Sequence, residues 1–568
     1  MSNYDKQPVV PVGSSDEIDV GWDAIASRLA RTGARVIVVE CYPGVRQDVF
    51  VELSRRLAPD VGIDPAEFRK PEAEIDAMIQ PDLTDDPVFG RLTSLALPDF
   101  FDFSRLPPMP DVGRVLIVGQ GASLITTGDL LVYADLPRWE IQQRQRAGEL
   151  GDERHSVLYK RSYFVDWRVA DRHKQQVWPE TDFVLDTTSA RSPKLVAAAR
   201  FFEGLAATAR RPFRVVPFFD PAPWGGQWMK EVCDLDADAP NYGWCFDCVP
   251  EENSLRLGFG SQAIEVPALD LVLAQPAALL GNRVHEWFGA EFPIRFDFLD
   301  TMGGGNLSLQ VHPLPAYIAE HFGLHYTQDE SYYMLDAGPD ATVFLGLPPG
   351  VDPEAMAADL RSADRGEGPF PAEQYVNRFP AKKHDHFLIP AGTVHCSGAD
   401  GMVLEISATP FIFTFKLWDW DRLGLDGLPR PVSVEHGLRN IQWDRDRPWV
   451  EANLVNRITP VAEGEGWREE RTGLHEAEFI ETRRHWFHGP VPHAATGGVC
   501  VLNLVEGQEA VVTSPDRAFD PFAVHYAETF IVPADAGAFT VTPAARAGVG
   551  AGSAYGPSAM ATIKAFVR

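Results

Sequence analysis

Cysteine is scarce in this chain, and basic residues are outnumbered. Six cysteines in 568 residues are too few for a disulfide scaffold, which excludes the small cross-linked secreted class. Cys245 and Cys248, in "WCFDC", have metal-knuckle spacing. No second pair completes a four-thiolate set, so both are expected to be buried or incidental to redox chemistry. Lysine and arginine number 51 against 80 aspartates and glutamates, a formal net charge of -29. Such a surface repels nucleic acid and anionic lipid, and no basic patch interrupts it. Neither is expected as a partner. No apolar run reaches the length of a membrane span, and the opening "MSNYDKQPVVPVGSSDEIDVG" lacks the apolar core of a signal peptide. A cytoplasmic location is the expectation.

What is present is a sheet-rich globular composition: 45% hydrophobic residues, with 14 Trp and 34 Phe. At roughly 150 residues per domain, the length predicts a multidomain protein. Residues 1–210 read as an α/β region. A helical pattern at 22–32 precedes the strand-like "ARVIVVE", the turn "CYPGV" and a second helix through "RQDVFVELSRRL". Buried-strand candidates recur at 113–125, at the start of 129–148 and in "DFVLDT", and "SPKLVAAARFFEGLAATA" is expected to be a helix. Continuous apolar strands separated by helices predict a mostly parallel sheet.

The texture changes after Arg211. Short β-rich segments broken by Gly and Pro predict a double-sheet or barrel architecture over 211–455, with helices inserted near 353–363 and 371–377. A further β-rich unit is expected over 456–568. Its "ETFIVPADAGAFTV" echoes "DHFLIPAGTVHC" upstream, which reads as a weak internal repeat. The later copy has Phe539 in place of the histidine, so only the earlier one is expected to keep a polar site.

That polar site would gather Gln310, His312, Glu330 and His395. Gln310 and His312 are two apart in "NLSLQVHP" and share a strand face. Glu330 opens "ESYYMLD", and His395 closes "IPAGTVH", where Gly392 permits a sharp turn. Two imidazoles, a carboxylate and an amide oxygen suit Zn²⁺ with an open coordination position. Taken singly, each histidine reads more readily as a satisfied structural residue than as a ligand. His384 and His386, among charges in "KKHDHF", read as edge or surface residues.

The segments "FLDTMGGGNLSLQVHP", "DESYYMLD", "HFLIPAGTVHC" and "EISATPF" resemble successive motifs of the type I mannose-6-phosphate isomerases, which are cupin enzymes. The resemblance covers 213–450 well and 456–568 loosely. It implies a cupin fold, one zinc ion per chain (or another divalent transition metal) on Gln310, His312, Glu330 and His395, and a sugar or sugar phosphate as partner. It also implies aldose–ketose interconversion of the mannose 6-phosphate to fructose 6-phosphate kind, by proton transfer through an enediol. "PWGGQW" is similar to the family's "WGG" motif and makes Trp224 a candidate wall of the sugar site. Lys416 stands where the family has an arginine, with Arg430 and Glu405 as further candidates for catalysis. Ser308, Arg295 and Arg422 are candidate substrate contacts.

Two family lysines are missing. Asp297 and Gln328 occupy their places, which disfavours a phosphate dianion. An isomerase of another or unphosphorylated sugar, and a non-catalytic metal-stabilised sugar sensor, are the alternative readings. In residues 1–210, "VIVVECYPGVRQDVF" and "LLVYADLPRWEIQQRQRAG" resemble the strand–P-loop–helix and the later arginine-bearing helix of nucleoside and uridine kinases. Arg46, Gln47 and Asp48 follow Gly44 where phosphate-binding groups belong, so the loop reads as degenerate. This region is also the expected surface for any homo-oligomer. Asp166, Arg168, Asp171 and Arg172 read as one ionic cluster.

Overall fold

The computed structural model describes residues 2–106, 108–109, 113–410, 412–473, 475, 477–544 and 559–568. The chain divides into two compact units, one of Val9–Thr208 with Pro250–Gln275, the other of Met1–Pro8, Ala209–Val249 and Pro276–Arg568.

In the first unit five parallel strands run Val36–Cys41, Val61–Ile63, Val115–Gly119, Leu130–Asp135 and Phe183–Asp186. Their spatial order is second, third, first, fourth, fifth, which puts Val36–Cys41 at the centre. Its apolar side chains are buried on both faces, as a covered parallel sheet requires. Helix Trp22–Arg31 packs Ile25 and Leu29 on the core, and helix Asp48–Leu57 adds Val49, Leu53 and Leu57 at helical spacing. The stretch expected as one helix at 192–209 begins instead as a strand, Lys194–Ala197, antiparallel to Phe183–Asp186. Leu195 joins the sheet core there, so burial overrides helix propensity until Ala198.

A hairpin, Ser254–Phe259 with Gln262–Pro267, pairs with Val10–Gly13. A segment that follows residue 210 in sequence therefore completes the first unit. Buried Lys174 ties it in, with Nζ 2.7 Å from Asp135 Oδ2 and 2.7 Å from Asp270 Oδ1. Of the residues read as one ionic cluster, Asp166 parts to pair with Arg161 at 3.4 Å, whereas Asp171 acts on both Arg168 and Arg172 and accepts from Tyr42 and Arg138 at 2.8 and 2.6 Å.

The second unit contains two pairs of antiparallel sheets. In the first pair, a six-stranded sheet includes Ile294–Asp300, Glu330–Ala337, His386–Ile389 and Gly401–Ala408, and a five-stranded sheet includes Leu309–Val311, His395–Ser397 and Phe415–Trp418. The helices Pro353–Asp364 and Ala372–Tyr375 are inserted as the sequence predicts. The second pair spans Thr459–Gly464 to Met560–Val567 and encloses Phe487, Leu502, Phe530 and Val541. The two echoing segments hold matching places: His386–Ile389 and Thr529–Val532 enter the six-stranded sheets, and His395–Ser397 and Phe539–Pro543 enter the smaller ones. His395 pairs across strands with Gln310 on one side, and Phe539 pairs with His493.

His386 opens the edge strand of the six-stranded sheet but departs from its surface reading and is wholly buried. The later sheet pair covers it; a Cβ at Gly473 would lie 2.8 Å from its ring. Cys245 and Cys248 are buried free thiols. Among the described residues no helix is long and apolar enough to cross a membrane.

Candidate metal centre

Gln310 and His395 are directly paired across antiparallel strands, so their side chains project from one face of the five-stranded sheet. His312 comes directly after the strand Leu309–Val311 that carries Gln310. Glu330 opens a strand of the other sheet. The turn that delivers His395 requires Gly392, whose φ is +85° and whose added Cβ would lie 2.8 Å from the Asn440 carbonyl.

Glu330 bridges the two imidazoles. Its Oε2 is 3.0 Å from His312 Nε2 and its Oε1 is 2.8 Å from His395 Nε2. The Gln310 amide lies 3.2 Å from His395 Nε2. His312, Glu330 and His395 are at most 1% exposed and Gln310 is 7% exposed. Each histidine turns its other nitrogen to a backbone carbonyl: His395 Nδ1 donates to Thr393 at 2.8 Å, and His312 Nδ1 lies 3.3 Å from Phe413 O. Those carbonyls fix the tautomer that leaves both Nε2 lone pairs facing the carboxylate.

The electrostatics agree. Burial alone would raise the Glu330 pKa, yet the two imidazoles hold it well below the usual carboxylate range. Burial would lower His312, and Glu330 raises it instead. His312 Nε2 and Glu330 Oε1 are buried, and with both Nδ1 atoms carrying the ring protons their near neighbours, Glu330 Oε2 and His395 Nε2, offer lone pairs and no donor. Such orphaned atoms are costly unless a further centre takes their lone pairs. The ligand atoms of His312, Glu330 and His395 lie within 4.8 Å of one another. The donor set therefore fits a divalent transition metal.

The remaining sequence candidates fall into two groups. Lys416 is the other cross-strand neighbour of Gln310, and burial, then Arg430, pushes its pKa down to about 8. Ser308, Arg422 and Arg430 converge on Asp419, which was not singled out from the sequence. Ser308 Oγ donates to Asp419 Oδ1 at 3.0 Å, Arg422 also reaches Oδ1, and Arg430 lies 2.8 Å from Oδ2.

On the opposite wall, Arg295 is engaged by Asp297 at 2.8 Å, by Ser407 at 3.1 Å and by Glu405. Glu405 is one side chain removed from the metal set, because Gln328 donates to Glu330 at 2.9 Å and to Glu405 at 3.3 Å. Burial, with Glu330 adding to it, raises the Glu405 pKa against the pull of Arg295. Trp224 is buried, and its carbonyl accepts from Gly305 at 3.0 Å. Sequence reading also missed Tyr332, whose ring meets His395 edge-on at 5.8 Å; its place two residues after Glu330 on the same strand face was the available signal.

Residues 21–210 match a family described as a domain of unknown function (DUF8485). The chain is 27% identical over 217 residues to the mannose-6-phosphate isomerase of Streptococcus mutans, an overlap covering 38% of this chain and 63% of that protein. It is 28% identical over 154 residues to mannose-6-phosphate isomerase ManA of Bacillus subtilis, covering 27% of this chain and 45% of the relative. The overlap thus spans less than two thirds of either relative. The solved mannose 6-phosphate isomerase from Bacillus subtilis matches with a TM-score of 0.50 and 17% identity, covering 63% of this chain and 100% of that one. Part of this chain has the fold of that protein.

Proposed function

We propose that this chain is a zinc-dependent aldose–ketose isomerase with a cupin fold, of the reaction type named for the mannose-6-phosphate isomerases it resembles. The observation that carries this reading is the convergence of Gln310, His312, Glu330 and His395, with both imidazole tautomers set by backbone carbonyls. These four side chains would hold the ion, which when bound supplies Lewis-acid polarisation of a sugar carbonyl.

The chain's own groups then have to move one proton between C1 and C2 through an enediol. Lys416 has the position and acidity to exchange a proton near neutral pH, because it stands beside Gln310 and its pKa is about 8. Arg430 keeps positive charge close to it. Glu405 acts through Gln328 and holds Glu330 in orientation. Ser308, Arg422 and Asp419 form a hydrogen-bonded rim for sugar hydroxyls, and Trp224 packs behind the glycine loop that borders it.

The first unit is read as a kinase-like domain whose loop no longer cradles a nucleotide. Gly44 packs on Ile141, Arg46 is paired with Glu149 at 2.7 Å, and Asp48 opens the following helix. Carboxylate at that helix start repels phosphate.

The test is an exchange assay on aldoses and ketoses, with and without a 6-phosphate, using metal-loaded protein. Interconversion that disappears in the His395→Ala protein is the expected result. Full metal occupancy with no exchange on any sugar would overturn the proposal.

A further inference from the structure

Helix Arg138–Arg146 of the first unit buries the wrong kind of face. Arg138, Gln142 and Gln145, at positions i, i+4 and i+7, are 2%, 4% and 5% exposed. A helix that only packs against a core puts an apolar stripe there. Here the stripe is polar, and much of it lacks partners. Nε and Nη1 of Arg138 and Oε1 of Gln145 make no hydrogen bond among the described residues; nor do Oε2 of Glu251 and Nε1 of Trp167. Each such buried group is costly if left unsatisfied.

These groups are neighbours. The Arg138 guanidinium lies 4.9 Å from the Trp167 ring and donates through Nη2 to Asp171 at 2.6 Å. Tyr159 meets Trp167 edge-on at 5.6 Å and reaches Glu252 at 3.5 Å. Gln142 donates to Glu252 at 2.7 Å. Arg138 feels the charges of both Glu251 and Glu252. The facing wall contains a π-helical turn, Ser162–Asp166, whose Ser162 accepts from Gln145 at 2.9 Å. Turns of that type cost regular helical hydrogen bonding and concentrate at functional sites.

The place in the fold is also telling. Tyr42 follows the central strand Val36–Cys41, and Arg138 follows its neighbour Leu130–Asp135. The connection from the first strand goes to one side of the sheet and that from the second to the other. The crevice at the carboxyl ends of two such strands is where open α/β sheets take ligands.

We propose that the first unit carries a binding site for an uncharged sugar, centred on Arg138, Gln142, Glu251 and Trp167. The unsatisfied set mixes donors (Arg138, Trp167) with acceptors (Gln145, Glu251), which hydroxyl groups match in both senses. Asp171, Glu251 and Glu252 all act on the Arg138 guanidinium, so its charge is already met and a phosphate dianion is disfavoured there. Tyr159 and Trp167 supply aromatic surface for the C–H face of a sugar ring. Burial raises Glu252 to about 7, which further softens the negative charge. The choice of sugars among uncharged ligands rests on the isomerase reading; the existence of the site does not.

The experiment uses full-length protein carrying His395→Ala, so that the metal centre cannot report. D-mannose, D-fructose, mannose 6-phosphate and uridine are titrated while Trp fluorescence and heat are followed. A plain sugar should bind, at least tenfold tighter than mannose 6-phosphate. Gln142→Leu and Arg138→Met should each weaken that binding tenfold or more, and Trp167→Phe should remove the fluorescence change. Gln142→Leu stands if Arg138→Met does not fold. Absence of plain-sugar binding in the His395→Ala protein, or binding untouched by Gln142→Leu, overturns the site. Tighter binding of uridine than of any sugar overturns the ligand class.

Discussion

His395 turns its two ring nitrogens in opposite directions: Nε2 lies 2.8 Å from Glu330 Oε1, and Nδ1 lies 2.8 Å from the carbonyl of Thr393, two residues earlier. The backbone of the turn thus decides which nitrogen is left to bind. Loss of this one side chain should release the ion. Metal analysis of purified protein is expected to find about one divalent ion per chain in the parent and none in His395→Ala. Gln310→Ala, at a weaker oxygen ligand, should retain metal at reduced affinity. Equal metal content in parent and His395→Ala would contradict the centre.

Lys416 gives a pH signature. Burial and Arg430 lower its pKa to about 8, so the neutral amine is the form gained as pH rises through that value. If it exchanges the sugar proton, kcat/KM should climb between pH 7 and 9. Lys416→Met should cost roughly 10²–10⁴-fold and flatten the climb. An unaltered profile in the variant assigns the proton transfer elsewhere.

Lys174, wholly buried between Asp135 and Asp270, separates two kinds of substitution. Lys174→Met leaves two buried carboxyls without their cation and should lower stability by about 3–5 kcal/mol. Asp270→Asn should cost much less. Burial raises the Asp270 pKa well above the usual range against the pull of Lys174, and Asp135 keeps its contact with Lys174 Nζ at 2.7 Å when the second carboxylate is neutralised. Urea unfolding of the two variants measures the difference.

His386 is buried with neither ring nitrogen bonded among the described residues, and burial, with Arg484 nearby, pushes its pKa to about 3. Its folded pKa lies below the unfolded value, so the unfolded chain binds more protons between the two. Stability conferred by the neutral ring is therefore complete above about pH 6.5 and is lost as pH falls towards 3. Between pH 7 and 5 the loss is on the order of 2 kcal/mol. His386→Phe should flatten that part of the stability curve; a variant with the parent's slope would place the acid sensitivity elsewhere.

The sequence by itself determined the local elements and the residue types of the candidate metal centre. Helical periodicity fixed Trp22–Arg31 and Asp48–Leu57, continuous apolar runs fixed the central strands, and alternation put Gln310 and His312 on one segment. These signals survive because each depends on residues only a few positions apart. Tertiary structure decided what distant segments bring together. Lys194–Ala197 became a strand because an open sheet edge was available to it. His386 was buried by strands some ninety residues further along the chain. Ser308 reached Asp419, already flanked in sequence by Arg422 and Arg430, only once two strands lay side by side. Residues 250–275 joined the first unit through pairing with Val10–Gly13. Burial, register and charge pairing are properties of the assembled sheets, and no local pattern encodes which far segment supplies the partner.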